Sequence, residues 1–152
     1  TISGVNASDN FSPRVDFATG GTNVQRMIVG ALDNDSWPDI VASNQTSNSI
    51  TIFRNNGVLG TVTSSSFSQI VILPSAPTPT FPVIADIDVD GKQDIIVAHS
   101  GFISIYKNEE STGSLTGSSF PNRVDLTVTG TPFAIDVTDV DMDGLPDIIG
   151  YM

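Results

Sequence analysis

Apolar and polar residues alternate with a period of two along much of this chain. The runs ITIFR from Ile50 and ISIYK from Ile103 show it most plainly. That period is the signature of a strand with two unlike faces, not of a helix. Val, Ile, Phe and Thr dominate the runs, and Gly, Asn, Ser and Pro separate them, as strand and turn preferences require. No segment offers an uninterrupted amphipathic helix. The stretches GVLGTVTSSS, PSAPTPTFP and STGSLTGSS read as exposed surface loops.

The pattern also repeats. VGALDNDSWPDIVAS (29–43), IADIDVDGKQDIIVA (84–98) and VTDVDMDGLPDIIGY (137–151) align, with closing aspartates Asp39, Asp94 and Asp147. FSPRVDF from Phe11, FSQIVIL from Phe67 and FPNRVDL from Phe120 form a second aligned set, and ITIFRNNG and ISIYKNEE a third. Each unit of roughly 50 residues reads as four short strands, the pattern of propeller blades. In the first full unit these are RMIVGAL, PDIVAS, SITIFRN and SFSQIVIL. The predicted fold is therefore all-β, a propeller-like arc of four-stranded antiparallel blades, about three repeats in one domain spanning 1–152. Complete blades fall at 26–73 and 82–127, with a half blade at each end, 1–18 and 132–152.

Composition narrows the chemistry. The net charge is -11, and of 17 acidic residues only Glu109 and Glu110 are glutamate. Aspartate favours turns and ligand roles over helices, and the charge opposes binding to phosphate backbones. Cysteine is absent, which removes disulfides and thiolate metal sites. With one histidine, His99, a Ser-His-Asp triad or multi-histidine zinc site is hard to build. No nucleophile, base and orienting group can be named together, so no enzymatic role is expected. No apolar run approaches the length of a membrane span, and no signal peptide is visible. The start at Thr1 points to processing or truncation.

The aspartates are not spread evenly. Taking Asp86 as loop position 1, Asp88, Asp90 and Asp94 fall at positions 3, 5 and 9, with Gly91 at position 6. Asp139, Asp141, Asp143, Gly144 and Asp147 repeat the spacing. Four carboxylates in one tight loop repel each other unless a cation sits among them. Hard oxygen donors at this density suit Ca²⁺. The glycine permits the turn that aims backbone carbonyls inward, so position 7, Lys92 or Leu145, adds a carbonyl ligand. An EF-hand is excluded because position 12 is Val97 or Gly150 rather than glutamate. Turns rich in Asp and Gly also occur without metal, but two complete copies in register favour the ion. The first loop departs from the pattern, with Ala31 at position 1 and Ser36 at position 6. Asp33, Asp35, the Trp37 carbonyl and Asp39 remain as a weaker third site.

The pattern DxDxDGxxD running into an apolar strand resembles the FG-GAP or VCBS repeat family, which includes the integrin α-chain propeller. PRVDFATG from Pro13, and the Val-Gly pair before the first loop, resemble it too. The resemblance implies a seven-bladed propeller with calcium in the hairpin between a blade's first two strands. It also implies metal ligands at Asp86, Asp88, Asp90 and Asp94, and at Asp139, Asp141, Asp143 and Asp147.

Trp37 is expected to pack on a neighbouring blade rather than stack on a sugar, and His99 to lie at the surface or in a loop. Asn-x-Ser/Thr sequons at Asn6, Asn10 and Asn44 are candidate glycosylation sites, with Asn34 the poorest because it lies in a metal loop. The two half blades are complementary. They imply head-to-tail pairing of copies by strand complementation into a ring or filament. A fragment of a larger propeller is the alternative. The expected role is structural or adhesive, outside the cell. Protein or glycan ligands, bound in an integrin-like or lectin-like manner, are the second reading.

Overall fold

The alternating runs pair as antiparallel hairpins. The computed structural model describes residues 2–4, 14–111 and 114–152, and the side chains of these except 2–4, 69 and 70. Asn6, Asn10, Phe11 and Pro13, and much of the expected 1–18 half blade, lie outside the described residues. Twelve strands are described: β1 (Ile2–Gly4), β2 (Val15–Phe17), β3 (Val24–Gly30), β4 (Asp39–Asn44), β5 (Ser49–Asn55), β6 (Phe67–Pro74), β7 (Pro82–Ala85), β8 (Asp94–His99), β9 (Phe102–Tyr106), β10 (Arg123–Thr127), β11 (Ala134–Thr138) and β12 (Asp147–Tyr151). Among the described residues there is no α-helix, only a 3₁₀ turn at Gly117–Ser119.

The strands form two four-stranded meanders, β3-β4-β5-β6 and β7-β8-β9-β10, and two pairs, β1-β2 and β11-β12. Innermost strands β3, β7 and β11 lie side by side, so successive sheets fan out as blades do. The fold class expected from the sequence is the one observed. Close approach of inner strands is visible at Gly30, where a Cβ would come within 3.0 Å of Ile84 Cδ1.

The second strand of each meander explains the continuous apolar runs. Every residue of β4 and of β8 is buried, because both faces are covered by neighbouring sheets. One core, including Val41, Ile50, Ile52, Ile95 and Val97, joins the two meanders. A second, including Val83, Ile96, Ile103 and Ile135, joins the second meander to β11-β12. A third packs Phe17 of β2 against Ile40, Ala42 and Phe53, with Phe17 edge-on to Phe53 at 6.3 Å and Phe67 at 5.5 Å. Thus β1-β2 and β11-β12 cap opposite ends of the arc, and no contact joins them among the described residues.

Three expectations change here. The stretches 74–82 and 111–119 are not wholly surface loops, since Ala76 and Leu115 are buried, Leu115 within the first core. Burying them covers the outer ends of the strands below. His99 is not a surface residue but fully enclosed at the end of β8, with Nδ1 3.3 Å from the Pro77 carbonyl oxygen. It is shut in by the proline-rich connection that crosses it. Asn44, the aligned residue of β4, is fully buried too, and its amide donates to Ser49 Oγ (3.2 Å) and Thr51 Oγ1 (2.9 Å). The folded chain therefore presents no glycan acceptor at Asn44.

Candidate metal centres

Each aspartate-rich segment is the hairpin between the first two strands of its sheet: 31–38 joins β3 to β4, 86–93 joins β7 to β8, and 139–146 joins β11 to β12. The three loops share one backbone path. Position 4 is left-handed in all, with φ of 60° at Asn34, 60° at Val89 and 62° at Met142. Position 6 is left-handed as well, at 70° for Ser36, 86° for Gly91 and 91° for Gly144. A β-branched residue is strained there. We expect Val89→Asn, which copies the residue of the first loop, to stabilise the protein by about 1 kcal/mol, read as a raised urea midpoint.

Side-chain oxygens then collect the loop's own N–H groups. Asp86 accepts the N–H of Asp90 (3.0 Å) and of Gly91 (2.8 Å), and Asp139 accepts those of Asp143 (3.2 Å) and Gly144 (2.9 Å). Position 5 accepts the N–H of position 7 in every loop: Asp35 from Trp37 (2.8 Å), Asp90 from Lys92 (3.0 Å) and Asp143 from Leu145 (2.8 Å). The closing aspartate braces the hairpin. Asp94 accepts the N–H of Ile87 (3.1 Å) and of Asn108 (2.7 Å). Asp39 does the same with Leu32 (2.9 Å) and Asn55 (2.9 Å), and Asp147 with Val140 (3.0 Å).

These bonds gather charge rather than disperse it. Ligand atoms of Asp86, Asp88 and Asp94 lie within 4.8 Å of one another, as do those of Asp139, Asp141 and Asp147. Asp90 and Asp143 stand beside these triads, and positions 7, Lys92 and Leu145, close each turn. The donor set is all oxygen and anionic, which fits a hard divalent cation and not a soft one. Burial pushes the Asp94 carboxyl up, against the pull of its two backbone N–H bonds. Burial also raises Asp90, but the Lys92 N–H and the Lys92 and Lys107 charges outweigh it and hold that carboxyl low. The Lys107 ammonium bonds Asp88 and lies 3.6 Å from Asp90.

The FG-GAP-like repeat model matches the chain twice, over residues 32–97 and 86–150. The chain belongs to the FG-GAP-like repeat family. No curated protein matches it. Each FG-GAP-like repeat here runs from one loop to the strand after the next, so the two matches overlap across the loop at 86–93. That loop opens one repeat and closes the other.

The first loop of this FG-GAP-like chain differs. Asp33, Asp35 and Asp39 are not drawn into a triad of the kind seen in the other two loops. Trp37 packs over Gly57 of its own sheet, where a Cβ would meet Trp37 Nε1 at 2.9 Å. Asp39 is fully buried and its carboxyl is pushed up to about 6, first by burial and further by Asp33 and Asp35.

Sequence reading missed two asparagines. Asn108 Nδ2 donates to the carbonyls of Leu32 (2.8 Å) and Gln93 (3.0 Å), and Asn55 Nδ2 to that of Pro38 (3.1 Å). Both lock the residue before a closing aspartate. The signal was the Arg-Asn and Lys-Asn pairs shared by the aligned ITIFRN and ISIYKN segments.

Proposed function

We propose that this protein is an extracellular, calcium-binding structural or adhesive module. The observation that carries the reading is the pair of hairpin loops that each gather three aspartates within ligand distance of a single cation. Bound Ca²⁺ neutralises carboxylates that otherwise repel and so stiffens the turn. The chain's own part is to preset the loop: Asp86 and Asp139 curl it, and Asp94 and Asp147 fasten it to the next strand. Sites of this class in extracellular modules work at millimolar calcium, and without cysteine the fold depends on no disulfide or free thiol. No helix of the described residues is long and apolar enough to cross a membrane.

The proposal extends to partners. Among the described residues, β12 pairs with β11 alone and β1 with β2 alone. In the head-to-tail reading, a strand pair of the β1-β2 kind from another copy lies beside β12. Covering the edge satisfies its backbone groups and removes an aggregation hazard.

Thermal unfolding in calcium and in chelator tests the metal. Asp88→Ala and Asp141→Ala are expected to lower stability in calcium by up to about 3 kcal/mol at a hundredfold excess over Kd, with little loss in chelator. Equal losses in both media would remove metal from these loops. Light scattering tests the partner. Particles several copies in size are expected in calcium, and a monomer at all concentrations overturns strand exchange between copies.

A further inference from the structure

In the first loop a cationic side chain reaches the carboxylates. Arg54, near the end of β5, reaches back across the hairpin. Its Nε donates to Asp33 Oδ2 at 2.5 Å and a terminal nitrogen to Asp35 Oδ2 at 2.9 Å. The Asp33 side chain is fully buried and that of Arg54 is 29% exposed, so the pair is largely shielded from water. A guanidinium is not deprotonated in proteins, so the positive charge is permanent.

The rest of the loop is adjusted to this occupant. Ala31 stands where the other loops have Asp86 and Asp139, so one carboxylate is missing. One carboxylate fewer and a monocation leave the same residual charge as four carboxylates around a dication. The backbone nevertheless follows the path of the other two loops through both left-handed positions, and Asp39 keeps the same brace as Asp94. The hairpin thus keeps the backbone of the other two loops with a guanidinium against its carboxylates.

We infer that Arg54 is a built-in cation that replaces calcium in the loop at 31–39 and excludes the ion from it. Its planar fork suits two carboxylates at once, which a lysine cannot match. Lys107 occupies the aligned place in the second loop. There it bonds one carboxylate closely and leaves Asp86 and Asp94 to a metal. The two residues thus separate a loop that is permanently filled from one that a dication can enter by displacing a flexible ammonium.

The inference rests on the calcium reading of the other two loops, and the test separates them. Calcium stoichiometry is measured by isothermal titration calorimetry on the intact chain and on the double variant Ala31→Asp, Arg54→Gln. Two sites in the native chain and three in the variant are expected. Three in the native chain, or two in both, overturns the role of Arg54. None in the native chain and one in the variant supports Arg54 while overturning calcium in the other loops. None in either overturns both. Arg54→Gln alone adds a second readout, since loss of a built-in cation lowers the melting temperature equally in calcium and in chelator. A loss confined to calcium contradicts the inference.

Discussion

Replacing Asp94 by alanine is expected to destabilise the protein by about 3 to 5 kcal/mol in chelator, and by more in calcium. The size follows from burial. Asp94 is fully enclosed and accepts the backbone N–H groups of Ile87 and Asn108. Charge-assisted bonds of this kind contribute about 1.5 to 3 kcal/mol each, and alanine leaves the Asn108 N–H buried without a partner. Asp94→Asn keeps one acceptor oxygen and is expected to lose about half as much. Asp88 gives the contrast. It is an exposed loop carboxylate whose ion pair with Lys107 is of the surface kind and adds little to stability. Urea unfolding of both variants in chelator decides the matter. If Asp94→Ala loses no more than Asp88→Ala there, the closing aspartate is a ligand only and not a brace.

Acid is expected to weaken the fold through His99. Burial holds its pKa down at about 4, below the ordinary 6.5, with the nearby Arg123 charge adding to the effect and Asp125 opposing it. Its Nε2 is buried without a hydrogen-bond partner, so no acceptor waits for a second proton. Below about pH 6.5 the unfolded chain takes up a proton that the folded chain refuses until about pH 4. The stability contributed by the neutral imidazole is therefore present above 6.5 and lost as pH falls through that window. Between pH 7 and pH 5 the loss is about 2 kcal/mol. Asp39, whose carboxyl is pushed up to about 6, contributes with the opposite sign, as does Asp94, whose carboxyl burial also raises, so the native curve sums opposing slopes. Comparison with His99→Gln isolates the histidine. Its stability relative to the native chain is expected to improve by about 2 kcal/mol from pH 7 to pH 5. Parallel curves for the two proteins would show that His99 protonates as easily folded as unfolded.

Strands and aspartate loops were legible in the sequence because each rests on a short-range rule. Alternation fixes a strand with one covered face, and carboxylate spacing with a glycine fixes a turn that concentrates charge. Repetition supplied the blade count, since three aligned segments can fold alike only in like surroundings. What was hidden depends on contacts far along the chain. His99 stands before Ser100 and Gly101 and looks like the start of a turn, yet the connection through Pro77 closes over it. Its alignment with Asn44 was the available clue, as both end a strand enclosed on two faces. Arg54 and Lys107 lay in segments already matched. Only the fold brings them across their hairpins to loops that precede them by about 20 residues. Leu115 sits in a run of Ser, Thr and Gly whose composition says loop, and one apolar side chain there says nothing about where it docks.

Asn108 belongs to the second meander but holds the Leu32 carbonyl of the first. The seam between those sheets is therefore latched as well as greased. Under a pull along the arc, two meanders sharing a polar latch and an apolar core part late, and the two-stranded pairs at its ends, β1-β2 and β11-β12, yield first. Such a module would act as a spring with a stiff middle and compliant ends, giving way under load in a set order rather than shattering.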